Sequence, residues 1–399
     1  MRGTPTADAR VDRSPNGVLR QAPRPARPGE FSEVMAFIDR VFRPGQAGRL
    51  IMHHQYPHLY RNEPAHLRRS LILRDQGELV GHLAIHPVLL RLDGATVRAG
   101  GIGGVAADPE RRGQGIMTAL LEAAGERMRQ QGYPLSVLGG DRQRYGWFGW
   151  ENAGLRNTFS LTPRYLGRPT AAERRLPIRP LQLDLATRRR ILTLDRTRPF
   201  GTERRTAELA PRFQRTSRDA WECRVGRAFA YLVLGGPKHQ ARPYERIDEV
   251  GGDPELIRSM LRVLMARYSR PHLRATTGAN PDDVALFRPV SGQWERGTDG
   301  MVRIVDLPLL LDQLAPVLHR RARRLHLNGT LRFSMTDSGQ QGMLVLGSGP
   351  VHRLRLSDRE MVALFFGLHP VGEAFAGTAA ARLEGLLPLP LFIPPLDHV

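Results

Sequence analysis

Val105-Ala106-Ala107-Asp108-Pro109-Glu110-Arg111-Arg112-Gly113-Gln114-Gly115-Ile116-Met117-Thr118-Ala119-Leu120-Leu121 is the stretch on which the reading of this chain turns. Its first residues close an apolar strand, and Asp108-Pro109-Glu110 ends that strand. A glycine-rich loop follows. From Ile116 the pattern becomes helical, with Met117, Leu120, Leu121, Ala124 and Met128 on one face up to about residue 131. A loop of this kind exposes backbone N–H groups where a helix begins, and the partial positive charge there favours phosphate oxygens. Gly113 and Gly115 let the backbone approach a pyrophosphate without a Cβ in the way, and Arg111 and Arg112 add charge. On loop composition alone, a phosphate cradle and a ligand-free strand-to-helix turn are equal readings.

Upstream, residues 31–45 predict an amphipathic helix ended by Pro44-Gly45. Strands are expected at 71–74, 78–92 and 97–107, with Asp93-Gly94 as a hairpin turn, and another at 135–138 after the helix. A second α+β block, about 159–294, predicts strands at 228–234 and 244–250, a helix capped by Asp253, and a strand at 272–276. It repeats the strand–strand–helix–strand order without a glycine-rich loop. A third block predicts a helix at 307–320, strands at 331–335, 343–346 and 351–356, a helix opened by Ser357-Asp358-Arg359-Glu360, and helix again at 375–385. The tail from Pro388 to Val399 is apolar and proline-rich, hence stiff and extended, where chain ends are ordinarily polar and frayed.

The quoted stretch resembles the coenzyme A-binding motif of the GNAT acetyltransferase superfamily, Arg/Gln-x-x-Gly-x-Gly/Ala, here Arg112-x-x-Gly115-x-Met117. The bulkier Met117 agrees with the Eis-like (enhanced intracellular survival) branch. Tyr145-Gly146-Trp147-Phe148-Gly149-Trp150 resembles that branch's Tyr-Gly-x-Phe-Gly-Tyr segment. Taken alone, Tyr145 reads as a packed aromatic in an aromatic-rich turn; the resemblance implies that it is the general acid. A phenol can protonate the thiolate that amine attack on a thioester expels. The resemblance also implies that the Val399 α-carboxylate enters the first domain's active site as the base, with His398 a lesser participant.

The implied cofactor is acetyl-CoA, held by Val105, Ala106 and Ala107 on a splayed strand, by Arg112, Gly113, Gln114, Gly115, Ile116, Met117 and Thr118, and by Gly140 and Asp141. Asp141 reads equally as a loop cap. The implied fold is α+β, with a disordered arm (1–28), a GNAT domain (29–155), a degenerate GNAT-like domain (156–298) and a sterol-carrier-protein-like domain (299–399). Self-association and a primary-amine acceptor follow from the same resemblance. The rival readings are a non-catalytic CoA-binding sensor and a C-terminal domain that carries an apolar ligand.

Composition excludes several classes. No apolar run reaches ~18 residues, so no membrane span is expected. The arginine-rich first thirty residues lack the apolar stretch of a secretory signal. Cys223 is the only cysteine, which excludes an intramolecular disulfide, fits a reducing cytoplasm and reads as a buried structural thiol. The net charge of +20 invites a nucleic-acid reading, but Lys238 is the only lysine and the arginine excess follows a general compositional bias. His82 and His86, i and i+4 on a strand, sit ~13 Å apart and cannot share a metal, and no carboxylate or cysteine completes a site with His53, His54 or His58. Glu33, Asp39 and Asp141 could hold a substrate cation in the cleft, but each taken alone reads better as a solvated surface carboxylate.

Overall fold

A computed structural model describes residues 21–45, 51–215, 218–236 and 244–399. Its strands are β1 (Arg24–Pro25), β2 (Ser70–Asp75), β3 (Glu78–Leu92), β4 (Ala95–Ala107), β5 (Leu135–Leu138), β6 (Glu151–Ala153), β7 (Arg156–Leu161), β8 (Arg179–Pro180), β9 (Phe200–Thr202), β10 (Arg218–Val225), β11 (Ala228–Gly235), β12 (Arg246–Gly252), β13 (Leu273–Thr277), β14 (Gln293–Gly297), β15 (Gly300–Ile304), β16 (Thr330–Met335), β17 (Gln341–Val345) and β18 (Val351–Leu356). The first helices are α1 (Phe31–Phe42), α2 (Ile51–Gln55), α3 (Pro64–Leu67), α4 (Ile116–Gln130) and α5 (Arg142–Tyr145).

The first sheet runs β1-β2-β3-β4-β5-β15-β6, with β9 on the far end of β3. The β3–β4 hairpin is antiparallel, turned by Asp93-Gly94 with both residues at positive φ. From β4 the chain crosses through α4 to β5, which lies parallel to β4. The α4 face is packed by Leu83, Ile85, Leu120, Leu121 and Met128; the opposite face is packed by Val34, Ile38, Tyr60 and Ala84. The second sheet, β14-β7-β13-β12-β11-β10-β8, repeats the order: an antiparallel β11–β12 pair, the helix Pro254–Arg267, then β13 parallel to β12. A three-stranded sheet, β17-β16-β18, packs with the helices Leu307–Arg324 and Asp358–Phe366.

Four expectations change. Residues 1–20 of the expected disordered arm lie outside the described residues, but its end is ordered. Arg24 and Pro25 pair with Ile72 and Leu71, Ala26 is buried, and the Arg24 guanidinium grips Glu30 at 2.7 Å. The block boundaries are also not sheet boundaries. β15, at the head of the third block, is inserted between β5 and β6, and β9 of the second block pairs with β3. A short apolar run fits any sheet edge of matching length, so its pattern does not say which sheet takes it. The segment 375–385, expected helical, holds only a short 3-10 turn, Ala379–Leu383, because Gly377 and Gly385 both adopt positive φ. The helix at 307–320 runs four residues longer, to Arg324.

Candidate active site

β4 and β5 pair only at Ala99–Leu135, Gly100–Ser136 and Gly101–Val137. Beyond Gly101, β4 continues to Ala107 paired with β3 alone, so the edge from Ile102 to Ala107 faces a gap. Val105, Ala106 and Ala107 lie along it, with the Ala106 side chain buried against β3 and Val105 and Ala107 packed against the α4 core. The unpaired edge can bond an extended, amide-containing arm as a strand would.

At the end of β4 the chain turns. Asp108 Oδ1 accepts the Glu110 N–H at 3.1 Å, and Arg111 is tied to Asp75 and to Glu78. Arg111 therefore anchors the loop to the β2–β3 turn instead of adding charge for a ligand. Arg112 is exposed. Gly113 and Gly115 take φ +81° and +76°, the left-handed region that a branched side chain resists. Gln114 lies between them. The first bond back into the turn is Ala119 N–H to Gly115 C=O at 2.9 Å, so the amides of Ile116, Met117 and Thr118 precede the helical ladder. Ile116 itself is buried, its side chain where a Cβ on Gly81 would stand, so only its backbone is offered to a ligand.

Past β5, a Cβ on Gly140 would stand 2.4 Å from the Tyr145 ring, so glycine is needed for that ring to fold back. Asp141 caps α5, accepting the Gln143 N–H at 2.8 Å. Tyr145 ends α5, 7% exposed, edge-on to Trp150 with centroids 6.4 Å apart. Burial raises its phenol above the ordinary value, partly offset by Arg144, so it is protonated through the neutral range.

The chain's other end arrives at the same gap. A Cβ on Gly101 would stand 2.6 Å from the Val399 side chain; one on Gly103 would stand 3.3 Å from the Val399 carboxyl carbon and 3.4 Å from His86 Nε2. A Cβ on Gly100 would instead meet Met128 of α4. Successive strand residues point to opposite faces, so Val399 lies across the sheet from α4 and Tyr145. The tail is held along its length. Leu389 N–H donates to Phe365 C=O at 2.8 Å, Ile393 N–H to Asp299 at 2.7 Å, and Asp397 takes Thr202, Arg204 and Arg212 at 2.6–2.8 Å. Arg204 and Arg212 hold the Asp397 carboxyl far below the usual range against the opposing effect of burial. A cavity of about 80 Å³ opens between Leu138, Met301, Asp299 and Val399.

His398 lines the same cavity, its Nε2–H donating to Ile393 C=O at 2.8 Å. Glu33 is an exposed carboxylate paired with Arg74, whereas Asp39 is closed to a ligand. Arg74 takes Glu33 at 2.9 Å, and Asp39, fully buried, accepts the Ile51 and Met52 amides at 2.8 and 3.0 Å. The sequence reading missed a buried polar group on the Val399 face. His82 Nδ1–H donates to Gly104 C=O at 2.7 Å, and its Nε2 accepts from Ser70 at 3.1 Å. His86 and His58 are buried, and among the described residues none of their ring nitrogens is hydrogen-bonded. Tyr60 stacks edge-on to His86 at 5.4 Å. The even spacing of His82, Ala84 and His86 on one strand is the sequence signal for this face.

Residues 22–153 match the family model described as the acetyltransferase (GNAT) domain. The N-terminal block is a GNAT domain. A comparison with curated proteins finds no match. Among solved structures, a probable N-acyltransferase from Enterococcus faecalis V583 aligns over 93% of this chain and 97% of its own, at 16% identity and TM-score 0.67. A GCN5-related N-acetyltransferase from Anabaena variabilis ATCC 29413 aligns over 94% and 99%, at 16% and 0.67. Eis1 from Mycobacterium abscessus aligns over 94% and 99%, at 13% and 0.59. At such identities the likeness is one of fold, and it extends through all three blocks. Among the described residues, no helix is long and apolar enough to cross a membrane.

Proposed function

We propose that the protein is an N-acetyltransferase that moves an acetyl group from acetyl-CoA to a primary amine by direct attack. The observation that carries this reading is the Val399 carboxyl carbon 3.3 Å from the Cβ position of Gly103, beside the gap where β4 leaves β5. Acetyl-CoA would lay its diphosphate on the amides from Gly113 to Thr118, beside Arg112, and its pantetheine arm along Val105 to Ala107 toward Gly140 and Asp141. The thioester then enters from the α4 face and the amine from the Val399 face. The amine nitrogen attacks the thioester carbon, the Val399 carboxylate takes an amine proton, the C–S bond breaks, and the Tyr145 hydroxyl donates to the leaving thiolate. Opposite faces suit this sequence, because acid and base are kept from exchanging a proton with each other.

The α-carboxylate is a weak base, ordinarily near pKa ~3.5, and the unbonded His86 imidazole beside it offers the proton a second stop. The third block reads as a sterol-carrier-protein-like domain whose tail serves the first, and self-association follows from the family resemblance; sedimentation tests the latter. The test of the reaction is thiol release from acetyl-CoA against an amine panel, for the parent chain, for Tyr145→Phe and for a chain extended by two glycines past Val399. Losses of about a hundredfold or more in both variants, with acetyl-CoA binding retained, support the mechanism. Normal turnover in both defeats it, and failure of the parent chain to bind acetyl-CoA leaves the sensor reading no better off.

A further inference from the structure

On the Val399 face, buried nitrogen without partners is concentrated at one junction. Arg215 is 7% exposed, Arg218 6% and His58 8%, yet Arg215 Nε, Arg218 Nη1 and both His58 ring nitrogens bond to nothing among the described residues. The three stand together. The Arg215 guanidinium lies 4.4 Å over the Tyr56 ring, whose centroid is 6.4 Å from that of His58. Arg215 and Arg218 both donate to the Pro395 carbonyl of the tail, at 3.3 and 3.1 Å.

The carboxylates nearby are committed elsewhere. Asp397 is shared by Arg204 and Arg212, and Asp248 by Arg218 and Arg246. Among the described residues Arg215 forms no ion pair; burial and Arg218 beside it make its positive charge hard to hold, and Asp248, bonded to Arg218 and Arg246, offsets them only in part. The same positive field, with burial, pushes the His58 imidazole down to about 3. Outside the described residues the sequence has only two acids, Asp8 and Asp12. A buried guanidinium with no counter-ion is costly to keep, and guanidinium nitrogens match carboxylate and phosphate oxygens in geometry.

We infer that the acceptor amine carries an anionic group, a carboxylate or a phosphate, which docks on Arg215 with Arg218 and His58 while its amine meets the Val399 carboxylate. This rests on the reaction proposed above and names its acceptor class. The spacing is bounded by the tail, since Pro395 and Val399 are at most about 14 Å apart along extended chain. The same cluster of guanidinium groups repels a polycation, which is left with Asp299, whose buried Oδ1 has no partner among the described residues and which lines the Val399 cavity; a diamine is therefore the competitor that tests the inference.

The experiment compares four acceptors of one carbon chain: hexylamine, diaminohexane, aminohexanoate and aminohexyl phosphate. Each is tested with acetyl-CoA in the parent chain, Arg215→Gln and Arg215→Lys. The expected result is a kcat/KM at least tenfold higher for the anionic amines than for diaminohexane, a preference reduced by tenfold or more in Arg215→Gln and partly restored in Arg215→Lys. The ratio of aminohexanoate to aminohexyl phosphate separates the carboxylate from the phosphate. A melting shift of the coenzyme A-loaded parent with either anionic amine, reduced in Arg215→Gln, reads the pocket without turnover. Equal or better turnover of diaminohexane, or an absent melting shift, overturns the anion pocket. Failure to bind acetyl-CoA at all defeats the acetyltransferase reading instead, and the shift assay then still judges the pocket, run without coenzyme A.

Discussion

The first and second sheets contain the same crossing, two parallel strands joined by a helix, and differ in what fills the space where those strands part. β4 leaves β5 after Gly101–Val137, and β12 pairs with β13 only at Arg246–Arg274 and Ile247–Ala275. In the first sheet the crossing passes through the glycine-rich loop, and no side chain caps the α4 amides. In the second, Asp253 closes the helix start itself by accepting the Leu256 N–H at 2.9 Å. The first gap receives only the tip of the tail, Val399. The second is stopped by its body: a Cβ on Gly278 would meet the Phe392 ring at 2.7 Å, and Pro394 and Pro395 line what remains, beside the Arg198–Asp283 pair at 2.9 Å. The lesson is that strand order alone does not make a cofactor site. What the first sheet has and the second lacks is a helix start that no described side chain caps, beside the parted strands.

This contrast is broken most severely at the anchor the two halves share. Asp397→Asn removes the charge that Arg204 and Arg212 share, leaving them Glu249 and Glu208. A loss of about 2–3 kcal/mol is expected in denaturant unfolding, with turnover lost along with the tail. Next, Gly115→Val places a branched side chain at φ +76°, and at least a tenfold rise in the acetyl-CoA Kd is expected by calorimetry, about 1.4 kcal/mol. Its counterpart Asp253→Ala removes a helix cap for about 1 kcal/mol of stability and leaves that Kd unchanged. Equal effects of the two on binding would erase the distinction between the halves.

A matched pair of glycines sharpens it further. Gly278→Ala drives a methyl into the wedged Phe392 ring and costs about 1–3 kcal/mol with acetyl-CoA affinity retained. Gly101→Ala meets the Val399 side chain at the free tip of the tail, so the melting temperature changes less while thiol release falls. The smallest effect is in pH. Burial holds His58 down to about 3 and His82 to about 4 in the folded chain, against ~6.5 when unfolded. Their contribution is complete above that unfolded value and is lost as pH falls toward 4 and 3, each histidine adding a slope of at most ~1.4 kcal/mol per pH unit. The melting temperature should drop from pH ~6.5 downward, and His58→Gln should flatten the drop. A second-sheet variant such as Asp253→Ala should leave the slope intact.

Much of this was legible in the chain. The helix after Gly115, the Asp93-Gly94 hairpin, the Asp253 cap and the capping box at Ser357 follow from local rules, and each is where those rules put it. The loop glycines were readable for the same reason, since positive φ is a property of a single residue. The short turn at 379–383 has a local cause in Gly377 and Gly385, but the unmatched site expectations were non-local. Arg111 read as charge for a ligand until Asp75 and Glu78 stood beside it, and Glu33 and Asp39 read as free until Arg74 and the start of α2 reached them. Nothing local to Arg215 announces that it lacks a counter-ion, because that is a statement about every carboxylate within reach.

Sequence alone determined the Gly113–Thr118 loop, the helix that follows it and the stiffness of a proline-rich tail, because backbone preference and hydrophobic period act over a few residues. Only the tertiary structure decided that β15 and β9 complete the first sheet, that the tail wedges one gap and merely tips into the other, and that His86, Arg215 and Val399 share one face. Those are pairings across hundreds of residues, set by which surfaces and charges were left for one another once the local elements had formed.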